Sequence, residues 1–235
     1  MKPASQNGFT LIEMAIVLMI VGLLLGGLLV PLSAQMDQRN ISDTQKAMSE
    51  IKEAIIGYAM ANGRLPCPAK ATIATGTTNA GVADCTLATG VLPWATLGVN
   101  ETDAWGNRFT YRVTSNFADA TDGTGAASCA VTTGVSFQLC SVGNLNVLSA
   151  ASGGVTIAGN VPAVIISHGK NRAGAYTPQW TQVAVGSNAD ELENSDGTAD
   201  NNYVSHTLNS TFDDLVVWIS PNILNNRMVA AGKLP

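Results

Sequence analysis

Hydrophobic and polar positions divide the chain into two parts. Residues 14–34 contain no charged side chain and are almost entirely apolar. A helix rises about 1.5 Å per residue, so a run of this length covers the roughly 30 Å of hydrocarbon in a bilayer. The pattern predicts a transmembrane helix over about 14–34.

The helical pattern continues beyond the apolar run. Residues 35–61 contain no proline, and their apolar positions recur at helical spacing with charged side chains on the other faces. Asn62-Gly63 is a helix stop signal. We therefore expect one long helix over 9–62, transmembrane at first and then amphipathic. Its predicted core positions are Ile41, Met48, Ile51, Ile55 and Tyr58 or Ala59.

Beyond residue 62 the pattern changes to short β-like runs between clusters of Gly, Asn, Asp and Thr. This spacing predicts an antiparallel sheet with long loops, one face of which covers the apolar stripe of the helix. The expected fold class is therefore α+β, with a globular domain over 63–235. The candidate strands are residues 91–98, 108–113, 135–140, 146–150, 163–169 and 214–220.

Composition narrows the range of functions. Only 12% of the residues are charged, the formal net charge is −5 and there is no basic run, so nothing favours nucleic-acid binding. The motifs G-x-S-x-G, H-E-x-x-H and G-x-x-x-x-G-K-[ST] are absent. The sequence therefore predicts a protein that is not an enzyme.

The four cysteines indicate an exported domain. None forms a C-x-x-C pair and both histidines lie far from them, which disfavours a zinc site. An even count in an exported domain predicts two disulfides. Of the three connectivities, we prefer sequential pairing, which closes two short loops, Cys67–Cys85 and Cys129–Cys140. The alternative is four buried free thiols.

Glu13 is the only charge within residues 8–24, and it stands at the head of the apolar run. A carboxylate in hydrocarbon costs about 2.5–3.5 kcal/mol unless it is compensated. A cleaved secretory signal does not fit, because the run is too long and the leader MKPASQNG carries a single lysine. A plain signal anchor fits the length but leaves Glu13 unexplained.

The stretch G-F-T-L-I-E at 8–13, followed by an apolar helix, resembles the cleavage and methylation signature of type IV prepilins and type II secretion pseudopilins. The resemblance implies a leader over 1–8 that a prepilin peptidase removes between Gly8 and Phe9, with N-methylation of Phe9. It also implies a pilin-like fold, in which the long N-terminal helix stays on the mature chain and packs on the C-terminal sheet domain.

The resemblance gives Glu13 a role in assembly. Cleavage creates a positive amine on Phe9, and in a filament Glu13 of one subunit is expected to pair with the Phe9 amine of its neighbour. Paired charges cost much less in a low dielectric than either charge alone. The alternative is that Glu13 lies at the level of the lipid headgroups and is solvated.

A second stretch, DAWGNRFTYRV at 103–113, resembles the D-x-W-G-N-x-[FY]-x-Y stretch of pseudopilins closest to the major one. The resemblance implies that it starts the sheet, with Gly106 in the turn and Trp105 anchored in the core. RLPCPA at 64–69 and GVLPWATLG at 90–98 resemble a disulfide-bearing subgroup of prepilin-type proteins.

The stretch SNADELENSDGTADNN at 187–202 is rich in carboxylates. Calcium takes six to eight oxygen ligands, and major pseudopilins carry a calcium site in a late acidic loop. The stretch fails the EF-hand pattern, and a solvated acidic loop is the alternative. The candidate ligands are Asp190, Glu191, Glu193, Asp196 and Asp200.

The resemblance implies a structural filament subunit, anchored once in the inner membrane with a cytoplasmic N-terminus and a periplasmic domain. The favoured role is a subunit of the type II secretion pseudopilus, whose polymerisation supports protein export. Expected partners are other (pseudo)pilins, the prepilin peptidase and the inner-membrane assembly platform with its ATPase. The alternatives are a type IV pilus subunit for adhesion, motility or DNA uptake, and an anchored exoplasmic domain that does not polymerise.

Overall fold

A computed structural model describes residues 8–122, 132–195 and 200–235, without the side chains of residues 25–32. The long helix, α1, runs over Leu11–Asn62 and therefore ends at the predicted residue. Gly63 stops it at φ +73°, and a Cβ at this position would lie 1.9 Å from the carbonyl oxygen of Gly134. Glycine is required there by both its backbone angle and this close approach.

The predicted transmembrane segment, residues 14–34, is helical. The apolar side chains described from Phe9 to Leu24 are exposed to the surroundings. Within the parts of the chain that the structure describes, no helix combines the length and the apolar character needed to cross a bilayer.

The chain divides into two compact units, Met1–Asn40 and Ile41–Pro235. The boundary lies inside α1 and not at its end, where the sequence analysis places the start of the globular domain. The reason is that α1 supplies part of the core of the second unit through Met48, Ile51 and Ile55, which are at most 1% exposed.

The main sheet is antiparallel and has the strand order β1-β2-β5-β7. Its strands are β1 (Thr89–Val91), β2 (Thr110–Val113), β5 (Ala163–Ser167) and β7 (Leu215–Ile219). A second sheet places β3 (Leu145–Leu148) between β4 (Thr156–Val161), which is antiparallel to it, and β6 (Asn202–Val204), which is parallel. The short helices are α2 (Trp94–Leu97), α3 (Ser115–Ala118), α4 (Ala189–Ser195) and α5 (Pro221–Ala230).

Strand β5 separates two hydrophobic clusters. Ala163 and Ile165 face a cluster that includes the buried residues of α1, whereas Val164 and Ile166 face a cluster that includes residues of the second sheet. Successive side chains of a strand point to opposite faces, so both faces of β5 are covered. This accounts for the continuous apolar sequence AVII, in place of an alternating pattern.

The α+β class and the main antiparallel sheet agree with the sequence analysis, but three details differ. Most of 91–98 is the turn and helix around α2, and 135–140 contains no strand although Phe137 is fully buried. The sequence analysis did not predict strands β4 and β6. Gly159 and Asn160 interrupt the hydrophobic pattern of β4, and β6 is only three residues long. Leu92, Val135 and Phe137 fill the core without forming part of a strand.

Candidate assembly motif and buried carboxylate cluster

The methylation-type motif occupies the start of α1. Phe9 is 82% exposed, and a Cβ built on Gly8 would meet no other atom within 4 Å. Among the residues that the structure describes, none covers the predicted cleavage position between these two residues.

Glu13 is hydrogen-bonded to Thr10, the residue that precedes α1. Its Oε2 accepts hydrogen bonds from the backbone N–H and from the hydroxyl of Thr10, both at 2.8 Å. The backbone N–H of Glu13 donates in return to Thr10 Oγ1 at 3.3 Å. This reciprocal arrangement is a capping box, which satisfies N–H groups at the end of a helix. The sequence analysis missed it, although the T-x-x-E spacing at 10–13 is its signal.

The D-x-W-G-N stretch forms a turn around a buried carboxylate. Asp103 Oδ1 accepts the backbone N–H groups of Trp105 and Asn107, each at 2.9 Å, and Gly106 takes the predicted turn position at φ +80°. Burial raises the pKa of Asp103, while the hydrogen bonds to its carboxylate oppose that shift. Trp105 is only half-buried at the edge of the core, so it anchors the turn less deeply than expected.

The same turn connects α1 to the main sheet. Ser167 at the end of β5 donates to Asp103 Oδ2 at 2.7 Å, and the backbone N–H of Ala104 donates to the hydroxyl of Thr44 in α1 at 3.2 Å. Thr44 is fully buried. The stretch therefore joins helix, turn and strand in one hydrogen-bonded group.

Arg108 follows the turn and is fully buried, which sequence reasoning did not anticipate. Its Nε donates to Glu101 at 2.8 Å, and its two terminal nitrogens donate to Ala71 O, Thr75 Oγ1 and Pro178 O at 3.0–3.1 Å. Its guanidinium also lies 4.6 Å from the centre of the Trp94 ring. The charge is thus paired and its donors are used, as a buried arginine requires.

Four of the five carboxylates predicted to bind calcium are described by the structure, and these four do not converge. Asp190 lies 3.2 Å from His206 Nε2 and accepts the N–H of Ala151, while Asp200 accepts two hydrogen bonds from Asn202. Glu193 lies in α4 together with Asp190 and Glu191. Asp196 falls outside the described residues. Of the four predicted ligands that the structure describes, only Glu191 joins a cluster of carboxylates.

That cluster contains two carboxylates from beyond the acidic stretch. Ligand oxygens of Glu191, Asp213 and Asp214 all lie within 4.8 Å of one another, and among the described residues no other group of three metal-ligating side chains comes this close. Glu191 and Asp214 are at most 3% exposed. Within the described chain, Asp213 Oδ1 and Asp214 Oδ1 are buried and have no hydrogen-bond partner.

A histidine lies beside the cluster. His168 is fully buried, its Nε2 lies 2.8 Å from Thr110 Oγ1, and its Nδ1 lies 3.8 Å from Asp214 Oδ1 without a hydrogen-bond partner among the described residues. Burial lowers the pKa of His168 to about 4, so the ring is neutral at pH 7.

Ionising all three carboxylates of this cluster at once is electrostatically unfavourable. Burial raises the pKa of Asp214 to about 8, and the nearby charges of Glu191 and Asp213 add to the effect. Burial also raises the pKa of Glu191. Carboxylates buried this close together retain protons or take a cation.

The predicted Cys67–Cys85 disulfide is present, with its Cα atoms 5.0 Å apart. Cys140 is also disulfide-bonded. The second predicted bridge involves Cys129, which lies outside the described residues.

Comparison with known proteins identifies the N-terminal motif. Residues 3–29 match the family model described as a prokaryotic N-terminal methylation motif. The chain carries a prepilin-type N-terminus. This motif indicates a type IV pilin-like or pseudopilin subunit, and so a structural protein processed by a prepilin peptidase and assembled into filaments with other pilins. No curated protein and no solved structure matches the chain.

Proposed function

We propose that the protein is a filament subunit of the type II secretion pseudopilus, whose polymerisation supports protein export across the outer membrane. The methylation motif around Gly8, Phe9 and Glu13 carries the proposal. The turn at 103–107 supports the choice of a pseudopilin, because its sequence resembles that of pseudopilins closest to the major one.

Assembly proceeds through the N-terminal helix. The apolar half of α1 holds the monomer in the inner membrane, with the domain in the periplasm, until the assembly platform and its ATPase move it into the filament. The prepilin peptidase exposes the Phe9 amine, and Glu13 of an adjoining subunit pairs with it. The apolar side chains then lie against neighbouring helices instead of lipid, where close packing replaces lipid contacts.

The test compares Glu13→Ala with Glu50→Ala, a matched change at an exposed glutamate of the same helix. Filament recovery is measured by co-purification from cells, together with the membrane level and the intact mass of the monomer. Glu13→Ala should leave the processed monomer in place and abolish filaments, while Glu50→Ala should assemble. Wild-type assembly of Glu13→Ala would contradict the charge pairing.

A second measurement separates the pseudopilus from the type IV pilus. The gene is deleted, and export of secreted enzymes is followed alongside pilus-dependent twitching and DNA uptake. Loss of export alone supports the proposal, whereas loss of the pilus functions alone supports a type IV pilin. If neither changes and no polymer forms, the protein is an anchored domain that does not polymerise.

We also propose that calcium binds at Glu191, Asp213 and Asp214, in place of the ligand set predicted from the acidic stretch. The geometry fits, because ligands that lie 2.3–2.6 Å from one ion are separated from each other by at most about 5 Å. The two unpartnered carboxylate oxygens are hard ligands of the type that calcium prefers. The neutral His168 ring lies beside the cluster, with Nδ1 3.8 Å from Asp214 Oδ1, and brings no competing positive charge to the site.

Thermal unfolding of the full-length protein in detergent tests this site. Calcium should raise the Tm and a chelator should lower it, because the ion binds the folded state only. Asp213→Asn should remove the calcium effect, while Glu193→Gln, a change in the acidic stretch outside the cluster, should retain it. A calcium response lost in Glu193→Gln and kept in Asp213→Asn would favour the original ligand set.

A further inference from the structure

Glu13 is held by its own helix before any neighbouring subunit is present. The two hydrogen bonds that it accepts from Thr10 use the same oxygen, Oε2. Among the described residues, Oε1 accepts no hydrogen bond from any donor. The carboxylate is therefore fixed through one oxygen, and the other takes no part in the capping box.

We propose that Thr10 is a positioning residue for assembly: its hydroxyl fixes the Glu13 carboxylate at the helix end and leaves Oε1 for the Phe9 ammonium of an adjoining subunit. This inference rests on the proposed filament function. It assigns a role to a residue that neither the methylation chemistry nor the charge pairing requires.

The physical basis is the cost of ordering a flexible side chain. A glutamate has three rotatable side-chain bonds, and fixing it on contact with a partner costs conformational entropy. The capping box removes that cost in advance, since the hydroxyl donates to Oε2 and accepts the N–H of Glu13.

Leader cleavage leaves this arrangement intact. The bond cut lies between Gly8 and Phe9, and both groups of Thr10 that hold Glu13, the backbone N–H and the hydroxyl, remain on the mature chain. The helix end also favours a negative charge in its first turn. Glu13 is consequently oriented both in the precursor and in the processed subunit.

Three variants separate the positioning of the Glu13 side chain by Thr10 from the negative charge of Glu13. Thr10→Val has nearly the same shape and removes the hydroxyl, whereas Thr10→Ser keeps it. Glu13→Gln keeps a side chain that can form a capping box but removes the negative charge. Each full-length variant is expressed in cells, and filament yield is divided by the amount of processed monomer, whose intact mass confirms cleavage and methylation.

The expected result is that Thr10→Val is processed normally but assembles roughly five-fold less, the effect of losing a helix cap. Thr10→Ser should assemble at near the wild-type level, because it keeps the hydroxyl. If Thr10 acted only through its size or packing, Thr10→Val would assemble better than Thr10→Ser. Glu13→Asp should itself be partly defective, because its carboxylate is one methylene shorter and no longer reaches the Thr10 hydroxyl. Thr10→Val should cause no further loss when it is combined with Glu13→Asp, because the hydroxyl acts through the glutamate carboxylate.

The outcomes distinguish this inference from the proposed function. Wild-type assembly of Glu13→Gln would overturn the charge pairing and with it the role of Thr10, while the proposed filament function would stand. A defective Glu13→Gln with a wild-type-like Thr10→Val would overturn only the role of Thr10. Equal defects in Thr10→Val and Thr10→Ser, or retention of the leader in Thr10→Val, would also overturn it, because the hydroxyl would then not act by orienting Glu13.

Discussion

At the scale of single residues, buried polar side chains determine the geometry of the domain. Asp103 receives three hydrogen bonds and thereby joins the turn at 103–107 to Ser167 in β5. Arg108 follows this turn directly. Its guanidinium donates to the backbone carbonyls of Ala71 and Pro178 and so joins these two segments. Both residues are nearly inaccessible to water, so the loss of either leaves partners without compensation.

Asp103→Ala should destabilise the full-length protein by about 3 kcal/mol, because the N–H groups of Trp105 and Asn107 and the hydroxyl of Ser167 lose their acceptor. Asp103→Asn should cost about 1 kcal/mol or less, since an amide oxygen still accepts in the turn, the Ser167 hydroxyl can rotate, and the desolvated charge is gone. Denaturant unfolding measures both. An Asn variant as unstable as the Ala variant would contradict this account.

At the scale of elements, local connections hold irregular segments against the main sheet. The Cys67–Cys85 disulfide closes a segment of 18 residues that is almost free of regular structure. Ala69 within this segment exchanges backbone hydrogen bonds with Val91 of β1, and Lys70 pairs with Asp84 at 2.9 Å. The exposed ion pair contributes little, so the covalent bond and the strand contact carry most of the constraint.

The double variant Cys67→Ala/Cys85→Ala should lower the free energy of unfolding by about 3 kcal/mol, the value expected for closing a loop of this size in the unfolded chain. Alanine is used because Cys67 is buried and a serine would add a polar group there. Denaturant unfolding under non-reducing conditions gives the value, with the other two cysteines unchanged as the internal control. A loss below about 1 kcal/mol would show that the folded contacts hold this segment without the bridge.

At the scale of the whole molecule, the start of α1 and the domain that begins within α1 differ in how their apolar side chains are covered. The domain builds a core from both faces of β5, with α1 on one side and the second sheet on the other. The first residues of α1 leave their apolar side chains exposed. This division suits a subunit whose N-terminal helix finds its packing partners in an assembly.

The mature chain is expected to begin at Phe9. Intact mass spectrometry of protein from a host with a prepilin peptidase should show loss of the first eight residues and the gain of one methyl group. A peptidase-deficient host should yield the full-length chain, which serves as the control. A chain that begins at Met1 in the competent host, or is cut after Ala34, would contradict the filament proposal.

Much of this architecture follows from the sequence alone. The end of α1 at Asn62, the burial of Met48, Ile51, Ile55 and Ala59, the α+β class and the strands around 110–113, 163–167 and 215–219 agree with the patterns that predict them, whereas Ile41 is only half-buried. These features are readable because helical and strand periodicities are local and because the motif at 8–13 is contiguous. The T-x-x-E capping box was equally readable, since it too depends on residues within one helical turn.

Only the tertiary structure decided which polar groups meet inside the domain. Glu191 lies 22 residues before Asp213, and its neighbours Asp190 and Glu193 have the same chemistry, yet Glu191 alone joins the buried cluster. Arg108 likewise resembles a surface residue in the sequence, and it is buried because acceptors surround it: the nearby Glu101 carboxylate and the backbone carbonyls of Ala71 and Pro178 from two distant segments. Periodicity shows where apolar side chains are buried, whereas the burial of a charge depends on partners brought together by the fold, and no local pattern records them.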